Sequence, residues 1–126
     1  METLVDSSIW IDYFRGGESS KDLDYLIDEN LIVTNEIILT ELIPYLLLQR
    51  QTRLIELFQE IDRLPLDIHW EKIIEFQVKC LKAGASGGGI PDLLIAQNAI
   101  HNRCKVYSAD KHFKSLNQIL RVGFYL

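Results

Sequence analysis

The chain has 126 residues, of which 48% are hydrophobic and 25% are charged. This composition excludes a disordered chain, and the length leaves room for one compact domain over residues 1–126 but not for two. The formal net charge is −5, which argues against a protein that grips nucleic acid by bulk electrostatics alone.

The sequence shows no pattern typical of a targeting or export signal. The N-terminal residues are acidic and lack the basic and long apolar regions of a signal peptide. The most apolar segment, residues 42–48, is far shorter than the roughly 20 residues of a membrane span. Cys80 and Cys104 lack the C-x-x-C spacing of a zinc site or redox pair. We therefore expect a soluble, cytoplasmic protein without membrane contact.

Charge is distributed unevenly along the chain. Residues 101–126 contain five Lys or Arg side chains and one carboxylate, a formal charge of +4, so residues 1–100 carry −9. A basic edge on an acidic body is compatible with RNA contact, although an ordinary solvated surface explains it equally well.

The first third of the chain alternates apolar runs with amphipathic segments. Residues 4–5 predict a short buried strand that runs into a polar turn, and residues 9–14 follow at helical spacing until the glycine pair at 16–17. A second amphipathic helix is predicted around residues 23–27, and residues 31–33 predict the next strand.

The central part contains the most apolar helix. Thr34-Asn35 offers an N-cap for a helix over residues 36–48, which is apolar almost all round and must bury more than one face. Pro44 is expected to kink or break it. Residues 53–60 predict a further helix, and residues 63–66 predict a short edge strand.

The last part continues the alternation, with helices predicted over 70–83, 90–100 and from 109 onwards, and strands over 105–108 and 122–126. The glycine-rich run at 84–89 lacks the Lys-Ser/Thr ending of a P-loop and is interpreted as a connection. Together these elements predict a three-layer α/β fold with a short central parallel sheet of four to five strands flanked by helices.

Four acidic residues stand at positions that suggest chemistry. Asp6 and Asp110 follow strands, at the edge where parallel sheets bind ligands, and Asp92 lies in the first turn of a helix. Glu41 lies in mid-helix among apolar residues, where an unpaired charge is costly. If these side chains converge, each pair about 5 Å apart repels by about 3 kcal/mol at an effective dielectric constant near 20, and a divalent cation removes that cost. Oxygen ligands suit Mg²⁺ or Mn²⁺.

The segments that contain these acids resemble the motifs of PIN-domain proteins, in particular VapC-type toxins. Asp6-Ser7-Ser8 resembles the Asp-[Ser/Thr]-Ser that follows the family's first strand. The resemblance spans nearly the whole chain, and the segments that resemble the second, third and fourth acidic motifs, in the family's order and at its usual separations, are Thr40-Glu41-Leu42, Pro91-Asp92-Leu93 and Ser108-Ala109-Asp110. One departure is Gln97-Asn98, which is polar where the family helix often has small apolar residues.

The resemblance implies a function and a site. It implies a PIN-like fold and a metal-dependent ribonuclease that hydrolyses RNA phosphodiester bonds with Mg²⁺- or Mn²⁺-activated water. It implies that the catalytic residues and metal ligands are Asp6, Glu41, Asp92 and Asp110, with supporting hydroxyls from Ser8 and Ser108. Cations that could contact substrate phosphates, or simply face solvent, are Arg15, Arg103, Lys111 and His112.

The same resemblance implies partners. PIN-domain toxins of this type pair with a VapB-like antitoxin and form homodimers. The apolar helix at 37–48 and the stripe of Leu54, Leu57 and Phe58 exceed what a lone small domain easily covers, so we expect the antitoxin to bind there.

Three other classes of protein share some of these sequence features. A phosphoacceptor receiver domain needs an acid pair after the first strand, where Asp6 stands alone. A phosphatase of the haloacid type needs Asp-x-Asp at that turn, and Ser8 occupies the second position. A PIN fold that binds RNA or protein without cutting remains an alternative, although the complete set of four acids counts against it.

Overall fold

The computed structural model describes residues 2–85 and 89–125, so part of the predicted 84–89 connection and the last residue of the predicted terminal strand lie outside the described residues. Within those ranges no helix is both long and apolar enough to cross a bilayer. The elements in chain order are β1 (Thr3–Val5), α1 (Ser7–Phe14), α2 (Leu23–Asp28), β2 (Ile32–Val33), α3 (Glu36–Leu48), α4 (Thr52–Phe58), α5 (Trp70–Lys82), α6 (Ile90–His101), β3 (Lys105–Tyr107) and α7 (Lys111–Leu120).

The central sheet is parallel, as predicted, but it is narrower. In the described residues it has three strands in the order β2-β1-β3, with Leu4 paired to Val33 on one side and to Val106 on the other. The prediction of four to five strands is therefore wrong. The segments predicted as extra strands make only isolated parallel bridges, Thr34 to Arg63 and Val106 to Phe124.

The physical reason for the missing edge strand lies in the segment that would pair with it. Thr34 donates to the carbonyl of Asp62 and accepts the N–H of Leu64, but Asn35 then caps α3, which begins at Glu36. The chain beyond Leu64 therefore has no extended neighbour with which to continue the ladder. At the other edge, the pairing consists of two hydrogen bonds between Val106 and the backbone of Gly123 and Tyr125. Both segments therefore lie along the sheet without lengthening it.

Helices cover both faces of the sheet. Leu4 and Val106 point into one core cluster with α5, α6 and α7, whereas the next residue of each strand, Val5 and Tyr107, points into a second cluster with α1, α2 and α4. Helix α3 contributes to both clusters, as its all-round apolar sequence predicted. It also runs through Pro44 to Leu48 without the break considered from the sequence.

Buried amides join α3 to α6. The Asn35 side chain caps α3 by accepting the Ile38 N–H at 2.9 Å, and its amide nitrogen donates to Asn98 Oδ1 at 2.8 Å. Asn98 in turn donates to the carbonyl of Pro65 at 2.9 Å, and Gln97 exchanges two hydrogen bonds with the backbone of His69. Gln97 and Asn98, the polar pair that departs from the family pattern, are therefore buried, and both side-chain amides form hydrogen bonds there.

Candidate metal centre

The ends of two neighbouring strands bring the first site residues together. Val5 of β1 pairs with Tyr107 of β3, so the next residues, Asp6 and Ser108, leave the sheet side by side at its carboxyl edge. This is the edge at which parallel α/β sheets bind ligands. Asp6 is 5% exposed, and its backbone N–H donates to the carbonyl of Tyr107.

Two serine hydroxyls hold the Asp6 carboxylate. Ser8 Oγ donates to Asp6 Oδ2 at 2.7 Å, and Ser108 Oγ donates to the same oxygen at 2.8 Å. Each hydroxyl also accepts a backbone N–H at 3.0 Å, from Ala109 and Asp110 respectively. Because each serine accepts from the backbone and donates to Asp6, the pair fixes the carboxylate and leaves Oδ1 out of these bonds.

Two helix N-termini supply the next pair of acids. Asp110 is the N-cap of α7, and its Oδ1 accepts the N–H of His112 at 2.9 Å. Asp92 lies in the first turn of α6, which begins after Gly89 with a proline in that turn. Donor atoms of Asp92, Asp110 and His112 all lie within 4.8 Å of one another.

Glu41 completes the cluster from α3. It retains an exposed side, but protein atoms remove water from part of its carboxylate. This desolvation, followed by repulsion from Asp6, Asp92 and Asp110, raises the pKa of Glu41 to about 7. Glu41 therefore lies close enough to the other three predicted acids to be repelled by them, while the group of donor atoms within 4.8 Å of one another consists of Asp92, Asp110 and His112.

The pKa of Asp92 is raised by the same causes. Desolvation contributes most, followed by repulsion from Asp110 and Asp6, while a backbone hydrogen bond from Gly89 and the nearby His112 act in the opposite direction. The raised pKa values of Glu41 and Asp92 fit a site for a divalent cation, because the charge of the cation would relieve the repulsion. Carboxylate oxygens are also ligands that Mg²⁺ and Mn²⁺ accept.

The predicted phosphate contacts divide into two groups. Lys111 and His112 stand in the first turn of α7, next to Asp110. Arg15 and Arg103 instead follow the C-terminal ends of α1 and α6, about 12 to 16 Å along those helices from the acid cluster. The structure does not bring these two arginines to the acids.

One contact in the site was not predicted from the sequence. His112 was considered only as a phosphate contact, yet its ring Nδ1 lies 3.2 Å from Asp110 Oδ1. The Asp-x-His spacing at the start of a helix, where the acid is the cap, could have indicated this contact.

The fold and the site define a class of protein: a parallel α/β domain with an acidic cluster at the carboxyl edge of its sheet. The family model described as PIN domain matches residues 3–118. The chain belongs to the PIN-domain family, as the motifs predicted.

Comparison with solved structures finds the same fold in another protein. The fold matches a chain in the crystal structure of VapBC2 from Rickettsia felis bound to a DNA fragment from their promoter, with a TM-score of 0.76 and 21% identity over 99% of this chain and 98% of that one. No curated protein matches the chain by sequence.

The raised pKa of Glu41 predicts a pH-dependent stability. A glutamate in the unfolded chain titrates near pH 4.3, so the folded chain binds this proton more tightly, and the resulting stabilisation is lost as pH rises through about 7. Glu41→Gln removes the charge at every pH. It should raise the Tm of the chelator-treated protein more at pH 8 than at pH 5, by about 3 °C or more.

The matched control is Glu56→Gln, which changes an exposed glutamate on α4. Its effect on Tm should be the same at both pH values. Equal pH profiles for the two variants would contradict the electrostatic account of Glu41.

Proposed function

We propose that this protein is a metal-dependent endoribonuclease that acts in the cytoplasm as the VapC-type toxin of a type II toxin-antitoxin module. The proposal is supported by the close approach of Asp92 and Asp110 and by the repulsion that Asp6, Asp92 and Asp110 exert on Glu41, whose pKa is raised to about 7 by desolvation and by that repulsion. Supporting hydroxyls from Ser8 and Ser108 hold the most buried of these acids in place.

In this proposal Asp6, Glu41, Asp92 and Asp110 would hold Mg²⁺ or Mn²⁺, which would supply an activated water and charge stabilisation at the leaving oxygen. Asp92 and Asp110 lie at two helix N-termini, whose partial positive charge offsets the repulsion between the two carboxylates. Asp6 is oriented by its two serines, so its geometry is set before substrate arrives. No separate histidine base is required.

The exposed Lys111 offers a cation for a substrate phosphate directly beside Asp110. Since the chain as a whole is acidic, RNA would be attracted by this local edge rather than by net charge. The remaining alternative is a PIN fold that binds RNA or protein without cleaving it.

Replacing one acid tests the nuclease directly. Asp92→Asn removes a ligand charge while keeping the shape of the side chain, so Mg²⁺- or Mn²⁺-dependent cleavage of total and structured RNA should fall by at least about 100-fold. Chelation of the metal should abolish cleavage by the unmodified protein. Gel analysis of the RNA products measures both effects.

The matched control is Asp62→Asn, an exposed aspartate at the turn before residue 63. It should cleave like the unmodified protein. Equal cleavage by the Asp92 variant, or cleavage that survives chelation, would exclude the proposed site, and RNA binding without any cleavage would favour the non-cutting alternative.

The antitoxin partner is proposed to bind an apolar groove. The stripe predicted from the sequence lines one wall, and the groove has a volume of about 370 Å³. The residues that line this groove, called the aromatic groove below, are Trp10, Tyr13, Phe14, Ile27, Ile32, Leu54, Leu57, Phe58 and Ile61. A VapB-like segment is a suitable occupant because an amphipathic helix buries its apolar face in such grooves. The similarity to a chain of a VapBC complex supports this choice.

A second apolar surface suits the proposed homodimer. Four exposed residues recur at helical spacing along α5: Trp70, Ile74, Val78 and Leu81, which are 58%, 64%, 44% and 74% exposed. This stripe is called the α5 face. Exposed apolar side chains aligned on one helix face favour an interface, and a second copy of the chain presents the same stripe.

Substitutions at two exposed residues test the antitoxin surface and the dimer surface independently. Leu57→Lys places a charge in the aromatic groove and should abolish binding of a VapB-like protein encoded beside this one, while the protein stays dimeric. Ile74→Glu should give a monomer that still binds that protein. Light scattering after gel filtration, with and without the VapB-like protein, measures both, and each variant is the control for the other. A monomeric unmodified protein, or unchanged binding by both variants, would contradict these surfaces.

A further inference from the structure

The imidazole of His112 lies beside the acids that the proposed function assigns to metal binding. Its Nδ1 is 3.2 Å from Asp110 Oδ1, and donor atoms of Asp92, Asp110 and His112 are mutually within 4.8 Å. The His112 and Asp110 side chains are 47% and 37% exposed, so a solvent ion can reach both. These three residues are called the Asp-Asp-His group.

The spacing of the Asp-Asp-His group suits one octahedral ion. Small divalent ions bind oxygen and nitrogen ligands at about 2.0 to 2.3 Å, which places neighbouring ligand atoms about 3 Å apart and opposite ones about 4.4 Å apart. The distance of 3.2 Å between Asp110 Oδ1 and His112 Nδ1 matches neighbouring ligands. Donor atoms of all three residues lie within 4.8 Å of one another, so they occupy the same small region as this pair.

We propose that His112 is a nitrogen ligand of the ion held by Asp92 and Asp110, so that this site binds Mn²⁺ in preference to Mg²⁺. The inference rests on the proposed metal-dependent function and goes beyond the four carboxylates. Mg²⁺ prefers oxygen ligands and keeps its water, whereas affinity for a nitrogen-containing site rises along the first-row series from Mn²⁺ onward.

The simpler role of His112 is a hydrogen bond that positions Asp110. The backbone N–H of His112 already donates to the same Oδ1 at 2.9 Å and positions this carboxylate, although the oxygen has a second lone pair that could accept the ring N–H. The two roles also need different tautomers: Nδ1 carries a proton when it donates to Asp110 and carries none when it binds an ion. The identity of the atoms around a bound ion therefore separates them.

Pulsed electron paramagnetic resonance of the full chain loaded with Mn²⁺ detects a directly bound nitrogen. The spectrum should show nitrogen modulation in the unmodified protein and in His101→Gln, an exposed histidine at the end of α6. The modulation should disappear in His112→Gln. Calorimetry should show Mn²⁺ affinity reduced at least about ten-fold in His112→Gln, with Mg²⁺ affinity changed much less.

Retained Mg²⁺ binding by His112→Gln also shows that the variant is folded. Mn²⁺ bound without nitrogen modulation in the unmodified protein, or equal losses of Mg²⁺ and Mn²⁺ affinity in the variant, would overturn the role of His112. If RNA cleavage still depended on metal and on Asp92 in that case, the proposed nuclease function would hold without a role for His112 as a ligand. Failure of the unmodified protein to bind either metal would overturn both.

Discussion

Repulsion between carboxylates that the fold holds close together is the constraint on which this site depends. Partial burial of its carboxyl group, followed by repulsion from the three other acids, raises the pKa of Glu41 to about 7. The fold lowers part of that cost by placing Asp92 and Asp110 at helix N-termini and by donating two hydroxyls to Asp6. A divalent cation would remove the remainder, so the same feature that destabilises the metal-free protein prepares it to bind metal.

Packing on both faces of a small sheet keeps the acids in place. β1 and β3 bring Asp6 and Ser108 to one edge, and the core clusters on the two faces fix the helices that carry the other acids. The buried contact between Asn35 and Asn98 connects the helix of Glu41 to the helix of Asp92. Loss of either amide would leave a buried polar group without its partner, which costs about 1–3 kcal/mol. These amides therefore stabilise the fold and align two walls of the site.

Sequence patterns predicted the order of elements and the four acids because both depend on local information. Apolar periodicity marks each helix, and Asp6 and Asp110 stand directly after apolar strands. Sheet width depends instead on pairing between distant segments, so the start of α3 at Glu36 ended the pairing of Thr34 with a segment whose local pattern predicted a strand. The contact of His112 with Asp110 and the burial of Gln97 and Asn98 depend on tertiary geometry. The sequence showed that two polar residues lie on an apolar helix. It did not show their hydrogen-bond partners, which are the Asn35 side chain and the backbone of Pro65 and His69.

The most direct measurement of the central claim is the titration of the Glu41 carboxyl carbon by nuclear magnetic resonance, with and without Mg²⁺. The account predicts a pKa near 7 in the metal-free protein and a lower one when Mg²⁺ is bound, since the cation replaces repulsion by attraction. A pKa near 4.3 that is insensitive to Mg²⁺ would contradict it, because the four acids would then be neither crowded together nor gathered around a cation.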